Sequence, residues 1–322
     1  AGKGSTQVKS LFKYFNSFMT AEKNGLEVLI LDEAHRLREK SVNRYTRKEL
    51  REMARPQIEE LIDAARVPVF LLDENQVVRP GEMGSVAEVE QYARARDLDL
   101  RHVDLSAQYR AGGSEAYIAW VRRLVGRTPG GRTTSMSGPT CTATWHDEPY
   151  FAVDVVDTPR EMEDRLGGML AQGYGARMTA GYCWRWSDPR PDGTLVPDVS
   201  IGSWSRPWNL KSERSVGGAP PSQLWATDPA GFGQVGCVYT AQGFEYDWNG
   251  VILGDDLVWR TDRWVARREF NKDPDFRNRS AVDDATFDRR IRNVYKVLLT
   301  RGMVGTLLYS PDPETREMLH RL

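Results

Sequence analysis

Long apolar runs are missing from this 322-residue chain. None approaches the roughly 20 residues that a membrane-spanning helix needs, so no membrane partner is expected. No signal-peptide pattern opens the sequence. Cysteine is scarce: Cys141, Cys183 and Cys237 are odd in number, far apart and without a C-x-x-C pair. That argues against a disulfide scaffold and a structural zinc site, and the expected location is cytoplasmic. Of four histidines, His102, His146 and His320 stand with no Cys or Asp at ligand spacing. Neither sign of charge dominates, with 44 Lys and Arg against 45 Asp and Glu. The global balance therefore argues neither for nor against a nucleic-acid partner. Internal repeats and low-complexity tracts are absent too. The chain opens Ala1-Gly2-Lys3 without an initiator Met, and is read as a fragment or a processed product.

What remains is a soluble composition, 40% apolar and 28% charged, long enough for two domains. Its pattern alternates. Apolar spacing predicts a helix at 10–19, and 26–31 reads as a strand buried on both faces. A helix at 55–66 opens with Pro56, and a second buried strand follows at 67–72. Further helices are predicted at 86–96 and 114–124, with a Gly, Thr and Ser-rich loop at 126–144 between units. Then come a strand at 151–156, a helix at 159–172 opening with Pro159, and a strand at 176–182. Residues 184–230, rich in Trp, Pro, Gly and Ser, read as an irregular insertion. A strand at 250–253 and a helix at 285–297 complete the pattern. Strand and helix in alternation indicate an α/β layered architecture.

The stretch LEVLILDEAHRL raises a chemical question, because a buried run ends in Asp32 and Glu33 side by side. Ligands of open α/β sheets bind beyond the carboxyl ends of the strands. A carboxylate pair there needs a cation or hydrogen-bond donors, and magnesium with a nucleoside triphosphate meets that need. The Asp can hold the ion and the Glu can deprotonate the attacking water. The structural alternative is that both acids cap the following helix. The second strand also ends in polar residues, Asp73 and Gln76, suited to sensing a γ-phosphate.

An ordered set of motifs carries a resemblance. LILDEAH resembles motif II, the Walker B element, of superfamily 1 helicases; LLDENQ resembles motif III and LSAQYR motif IV. VYTAQGFEYDWNGVIL resembles motif V, and VLLTRGMVG motif VI. From about residue 5 to about 312 the chain resembles the Schlafen group 3-like DNA/RNA helicase domain family, also known as domain of unknown function 2075. The resemblance implies an α/β fold of two RecA-like P-loop NTPase domains with parallel sheets. The first, 1–105, is expected to be incomplete at its N-terminus; the second, 106–322, carries the insertion. It also implies ATP hydrolysis in a cleft between the two domains, coupled to helicase or translocase action on single-stranded DNA or RNA.

By this resemblance Asp32 coordinates Mg2+ and Glu33 is the catalytic base. His35 and Gln76 couple the γ-phosphate to nucleic-acid contacts. Arg110 and Arg301 reach the γ-phosphate, where a planar guanidinium matches the charge of the transition state. Gly243 permits close backbone approach, Glu245 binds the ribose of ATP, and Thr240 and Gln242 lie near the nucleic-acid backbone or the γ-phosphate. Gln242 and Phe244 depart from the commonest motif V pattern. No G-x-x-x-x-G-K-[ST] occurs in the chain. In AGKGST, Lys3 is followed by Gly4, so the segment is read as a loop, with Walker A expected upstream. Alone, the chain is expected to bind ATP poorly and to turn it over slowly or not at all. Two rival readings are a non-catalytic nucleic-acid-binding scaffold and an ATP-driven switch for a fused nuclease upstream. Residues 257–301 hold 12 Lys and Arg against 7 Asp and Glu, and eight of ten tryptophans lie between Trp184 and Trp264. Most of those are expected to pin down the insertion; stacking on single-stranded bases is the alternative.

Overall fold

The computed structural model describes residues 11–42, 46–105, 111–126, 145–146, 149–280 and 282–322. The AGKGST opening, the motif IV segment ending at Arg110, and Cys141 lie outside them. The chain divides into two compact units, Ala1–Asp104 and Leu105–Leu322.

In the first unit, β1 (Leu26–Leu31) and β2 (Ala65–Phe70) pair in parallel, Leu26 opposite Ala65 and Leu31 opposite Phe70. Parallel strands need a crossover. Here it is made by the short helix α1 (Lys48–Glu52) and α2 (Gln57–Ala64), whose N-cap is Pro56. Ile58, Leu61 and Ile62 of α2 pack with Leu31, Ala34 and Leu37, and Leu29 lies against this cluster. Helix α3 (Val86–Ala95) begins with a capping box: Ser85 accepts from the Glu88 N–H, and the Glu88 carboxylate accepts from the Ser85 N–H.

Two expectations fail in this unit. Among the described residues of 10–19, only Leu11 is α-helical, and a 3-10 turn, Phe15–Phe18, preceded by an extended Tyr14, stands where the helix is expected to continue. Leu11, Phe12 and Tyr14 are exposed. Apolar spacing stabilises a short helix only when its face has something to pack on. Strand β1 forms where expected, but it is not buried on both sides. Leu29 and Leu31 face α2, whereas Leu26, Val28 and Ile30 on the other face are 41%, 55% and 64% exposed.

The second unit contains β3 (Ala152–Val155), β4 (Ala176–Ala180), β5 (Val199–Ile201), β6 (Trp204–Arg206), β7 (Val235–Cys237), β8 (Tyr246–Ile252), β9 (Leu257–Arg260), β10 (Arg263–Ala266) and β11 (Gly302–Tyr309). Five form one sheet in the order β3-β11-β8-β4-β7, and every pairing in it is parallel. The helices are α4 (Glu115–Leu124), α5 (Pro159–Ala171), α6 (Val238–Ala241), α7 (Asp284–Leu299) and α8 (Pro313–Leu319). Thr158 caps α5 by accepting from the Glu161 N–H, with Pro159 in the first turn, as the sequence predicts. Met162 and Leu166 of α5 are fully buried on the sheet, where a Cβ at Gly250 would lie 2.7 Å from the Met162 sulfur. Tyr117 of α4 donates to the Leu299 carbonyl at 2.7 Å and holds the end of α7.

The insertion is mostly irregular, as expected, but contains the β5–β6 pair, which is antiparallel. Another antiparallel pair, β9–β10, turns at Thr261, which takes a φ of 58° without being glycine. β8 begins four residues before the expected strand. No helix among the described residues is long and apolar enough to cross a membrane.

Candidate functional site

In the first unit the candidate residues meet beyond the carboxyl ends of β1 and β2. The exposed Asp32 accepts the Glu33 N–H on Oδ1 at 2.9 Å. Glu33 then adopts left-handed φ 53°, ψ 40°, which costs a residue with a Cβ about 1–3 kcal/mol. The chain needs this reversal to drop Ala34 into the core, where the Ala34 N–H donates to the Leu71 carbonyl at 2.8 Å. A 3-10 turn, Ala34–Arg36, follows.

The turn returns two cationic or polar side chains to Glu33. His35 Nε2 lies 3.1 Å from Glu33 Oε2, and Arg36 Nε lies 3.6 Å from the same oxygen. His35 is 1% exposed, and its Nδ1 accepts the Asp73 N–H at 3.4 Å. A ring nitrogen that accepts leaves the proton of a neutral imidazole on the other one. The Asp73 N–H at the end of β2 thus engages Nδ1, and Nε2 is the ring nitrogen that lies beside the Glu33 carboxylate. Gln76, also buried, donates to Asp73 Oδ2 at 3.2 Å. Glu33, His35 and Gln76 are thus brought together, His35 and Gln76 through Asp73, and Asp32 adjoins them through the Glu33 N–H.

Two contributors escaped the sequence reading. Arg36 stands three residues after Glu33 in a turn, a spacing that pairs side chains and was available to find it. Gly84 carried no such signal. The segment before α3 lies against the motif II turn, with the Met83 N–H donating to the Leu37 carbonyl at 2.7 Å. A Cβ at Gly84 would sit 2.2 Å from the Ala34 carbonyl oxygen and 2.3 Å from His35 Cα. Only glycine permits that approach.

In the second unit, motifs V and VI meet at the amino ends of β8 and β11. The Tyr246 N–H donates to the Arg301 carbonyl at 3.2 Å, and Arg301 Nη1 reaches the Phe244 carbonyl at 3.4 Å. Arg301 is 2% exposed and its Nε donates to the Val297 carbonyl at 2.9 Å. Its charge thus faces backbone oxygens of the same unit. Gly243 and Glu245 are exposed, and a Cβ at Gly243 would meet nothing within 4 Å, so the close approach expected there involves no described residue of this chain. Thr240 accepts from Asn209 Nδ2 at 3.0 Å, and Gln242 is buried. Beside this group Arg177 of β4 gives its guanidinium to three carbonyls, those of Trp225, Ala176 and Asp228. Burial lowers its pKa, which its proximity to Tyr246 and Asp228 only partly offsets. A charge inside a predicted strand was its sequence signal. Arg110 lies outside the described residues.

An all-parallel sheet with helices packed on it, and a strand-end Asp-Glu turn linked to the end of the neighbouring strand, place the chain in the RecA-like α/β class. Residues 1–312 match the family described as Schlafen group 3, DNA/RNA helicase domain, and the chain belongs to that family; it is a helicase-like module. An uncharacterized protein of Saccharomyces cerevisiae is 38% identical over 97 residues, which cover 27% of this chain and 20% of that protein. The match thus spans about a fifth of that curated relative.

Proposed function

We infer that this chain is the motor module of an ATP-dependent DNA or RNA helicase or translocase. The observation that carries the reading is the strained Glu33, whose carboxylate is met by His35 while His35 is met by the end of the next strand. A general base must be aimed as well as basic. His35 and Arg36 flank the Glu33 carboxylate, and Asp73, tied to Gln76, engages the imidazole. A change felt at Asp73 or Gln76 would then pass to the base by way of the His35 ring.

The donor set fits magnesium and a nucleoside triphosphate. Asp32 is exposed and spends one carboxylate oxygen on a single backbone N–H, which suits a hard cation. Bound Mg2+–ATP would supply charge neutralisation and the phosphoanhydride to be cleaved. Exposed Glu245 beside the open Gly243 suits a ribose hydroxyl. Arg301, with Arg110, would supply positive charge to the phosphoryl group, and the Val297 and Phe244 carbonyls are the partners Arg301 must give up to do so. Thr240 and Gln242 would lie along the single strand of DNA or RNA.

The test is ATP hydrolysis by the longest polypeptide that carries this chain, with and without single-stranded DNA. Glu33→Gln is expected to lower turnover by about 100-fold or more while ATP is still bound. Unchanged turnover in that variant would overturn the assignment of the base. ATP-indifferent binding of nucleic acid by the wild type would favour a scaffold instead.

A further inference from the structure

Adjacent strands β4 and β8 send their chains in opposite directions, β4 on to β7 at one side and β8 on to β11 at the other. Such a divergence opens a crevice beyond the carboxyl ends of the strands, where α/β sheets bind ligands. On the β8 side the crevice is filled. Buried Asp256 accepts from Tyr295 at 2.5 Å and from Asn271 at 2.8 Å. Past the β7 edge of the sheet, where Trp208 pairs with Val235, lies a cavity of about 260 Å3, its walls including Trp186, Trp208, Pro189, Leu195 and Lys211. That is below the range of about 300–1,000 Å3 usual for drug-sized ligands.

The aromatic rings are fixed in place. Trp186 and Trp208 have centroids 5.9 Å apart, and Tyr182 packs on both, at 6.0 and 5.8 Å. Trp186 Nε1–H donates to the Asn209 carbonyl and Trp208 Nε1–H to the Arg185 carbonyl, each at 3.0 Å. Lys211 Nζ donates to the Trp186 carbonyl, stands 5.2 Å from the Trp186 ring centroid, and lies 3.7 Å from Asp188. The indole N–H groups are therefore spent, the local charge is balanced, and what the half-buried Trp186 offers a visitor is the part of its ring that Lys211, Trp208 and Tyr182 leave exposed. Asn209, between the two walls, donates to Thr240 at 3.0 Å, so the pocket is tied directly to motif V.

We propose that this pocket takes one unstacked nucleobase of a single-stranded nucleic acid on the face of Trp186, with Lys211 at its rim. The inference rests on the nucleic-acid motor reading and deepens it. Stacking needs no base-edge contact, so it tolerates any base, and because the pocket carries no net charge its contribution should not depend on salt.

The experiment compares binding of a short labelled oligothymidylate with binding of an oligomer of the same length whose central residues are abasic, for the wild-type chain, Trp186→Ala and Trp186→Tyr. Trp186→Ala is expected to weaken the oligothymidylate about tenfold, by the same factor at low and high salt, and to leave the abasic oligomer within about twofold. Trp186→Tyr should restore most of the loss. Equal weakening on both oligomers, or none on either, overturns the pocket while leaving the motor reading intact. If the wild type binds neither oligomer, the pocket and the nucleic-acid reading fall together.

Discussion

The first unit presents acids at the carboxyl ends of two strands, exposed or half-exposed and held by a strained turn. The second presents buried arginines near the amino ends of β4, β8 and β11, tied to backbone carbonyls. The acids are reachable as they stand. The arginines are committed, because a buried guanidinium must be satisfied and a buried carbonyl left alone costs about 1–3 kcal/mol. The sheets differ in the same sense. β1 leaves one apolar face open, whereas β4 is buried throughout. The first unit is thus built around a geometry and the second around a core.

That contrast can be broken by substitution, and the tryptophans supply the readout, since all ten lie in the second unit. The largest effect is expected from Gly84→Ala. Its new Cβ would collide with the Ala34–His35 backbone, destabilising the first unit by about 1–3 kcal/mol and misaiming Glu33. The far-ultraviolet melt should shift while the tryptophan-fluorescence melt stays put; equal displacement of both would break the comparison.

Asp312→Asn is expected to act in the opposite place and by less, about 1 kcal/mol, by weakening the cap of α8 and the pair with Arg260. Burial alone would raise the Asp312 pKa, but Arg260 at 2.6 and 2.8 Å and the hydrogen bonds from Thr315 outweigh it and hold it at about 2. A carboxylate depressed from its ordinary value of about 3.9 is stabilising above that pH, and its contribution is lost as pH falls from about 4 towards 2. The wild-type tryptophan melt should weaken across that window, and the Asn variant should lose this part of the slope. The smallest effect belongs to Ile30→Thr on the open face of β1. A change below about 0.5 kcal/mol in the far-ultraviolet melt sharpens the comparison, and a loss of 2 kcal/mol or more would mean that face is covered.

What could be read in the sequence follows the range over which each feature is decided. Pro56, Pro159 and the apolar run 26–31 act locally, and their elements stand within a few residues of the prediction. The Asp32–Glu33 pair was legible because two acids after an apolar run need a reason. The open face of β1 was not, since the same letters serve a strand covered on one side or both. The β9–β10 turn was missed because Thr261 occupies a conformation usually announced by glycine. Gly84 was missed because its contact joins segments some fifty residues apart, and the engagement of Arg301 because carbonyl partners leave no mark in sequence.

Glu33 also permits a statement about what the turn withholds from the fold. A left-handed glutamate is a poor choice for stability, whereas asparagine is comparatively at ease there. Glu33→Asn should therefore leave the first unit as stable as before, or more stable by up to about 1 kcal/mol, because the partly exposed pairing it gives up contributes little. The same change should extinguish turnover. Unfolding of the first unit, followed in the far ultraviolet beside ATP hydrolysis, would then show an inert protein that is no easier to unfold. In that case the tension at this one residue is what keeps a carboxylate at the end of the strand, and a chain free to relax would do so by going silent.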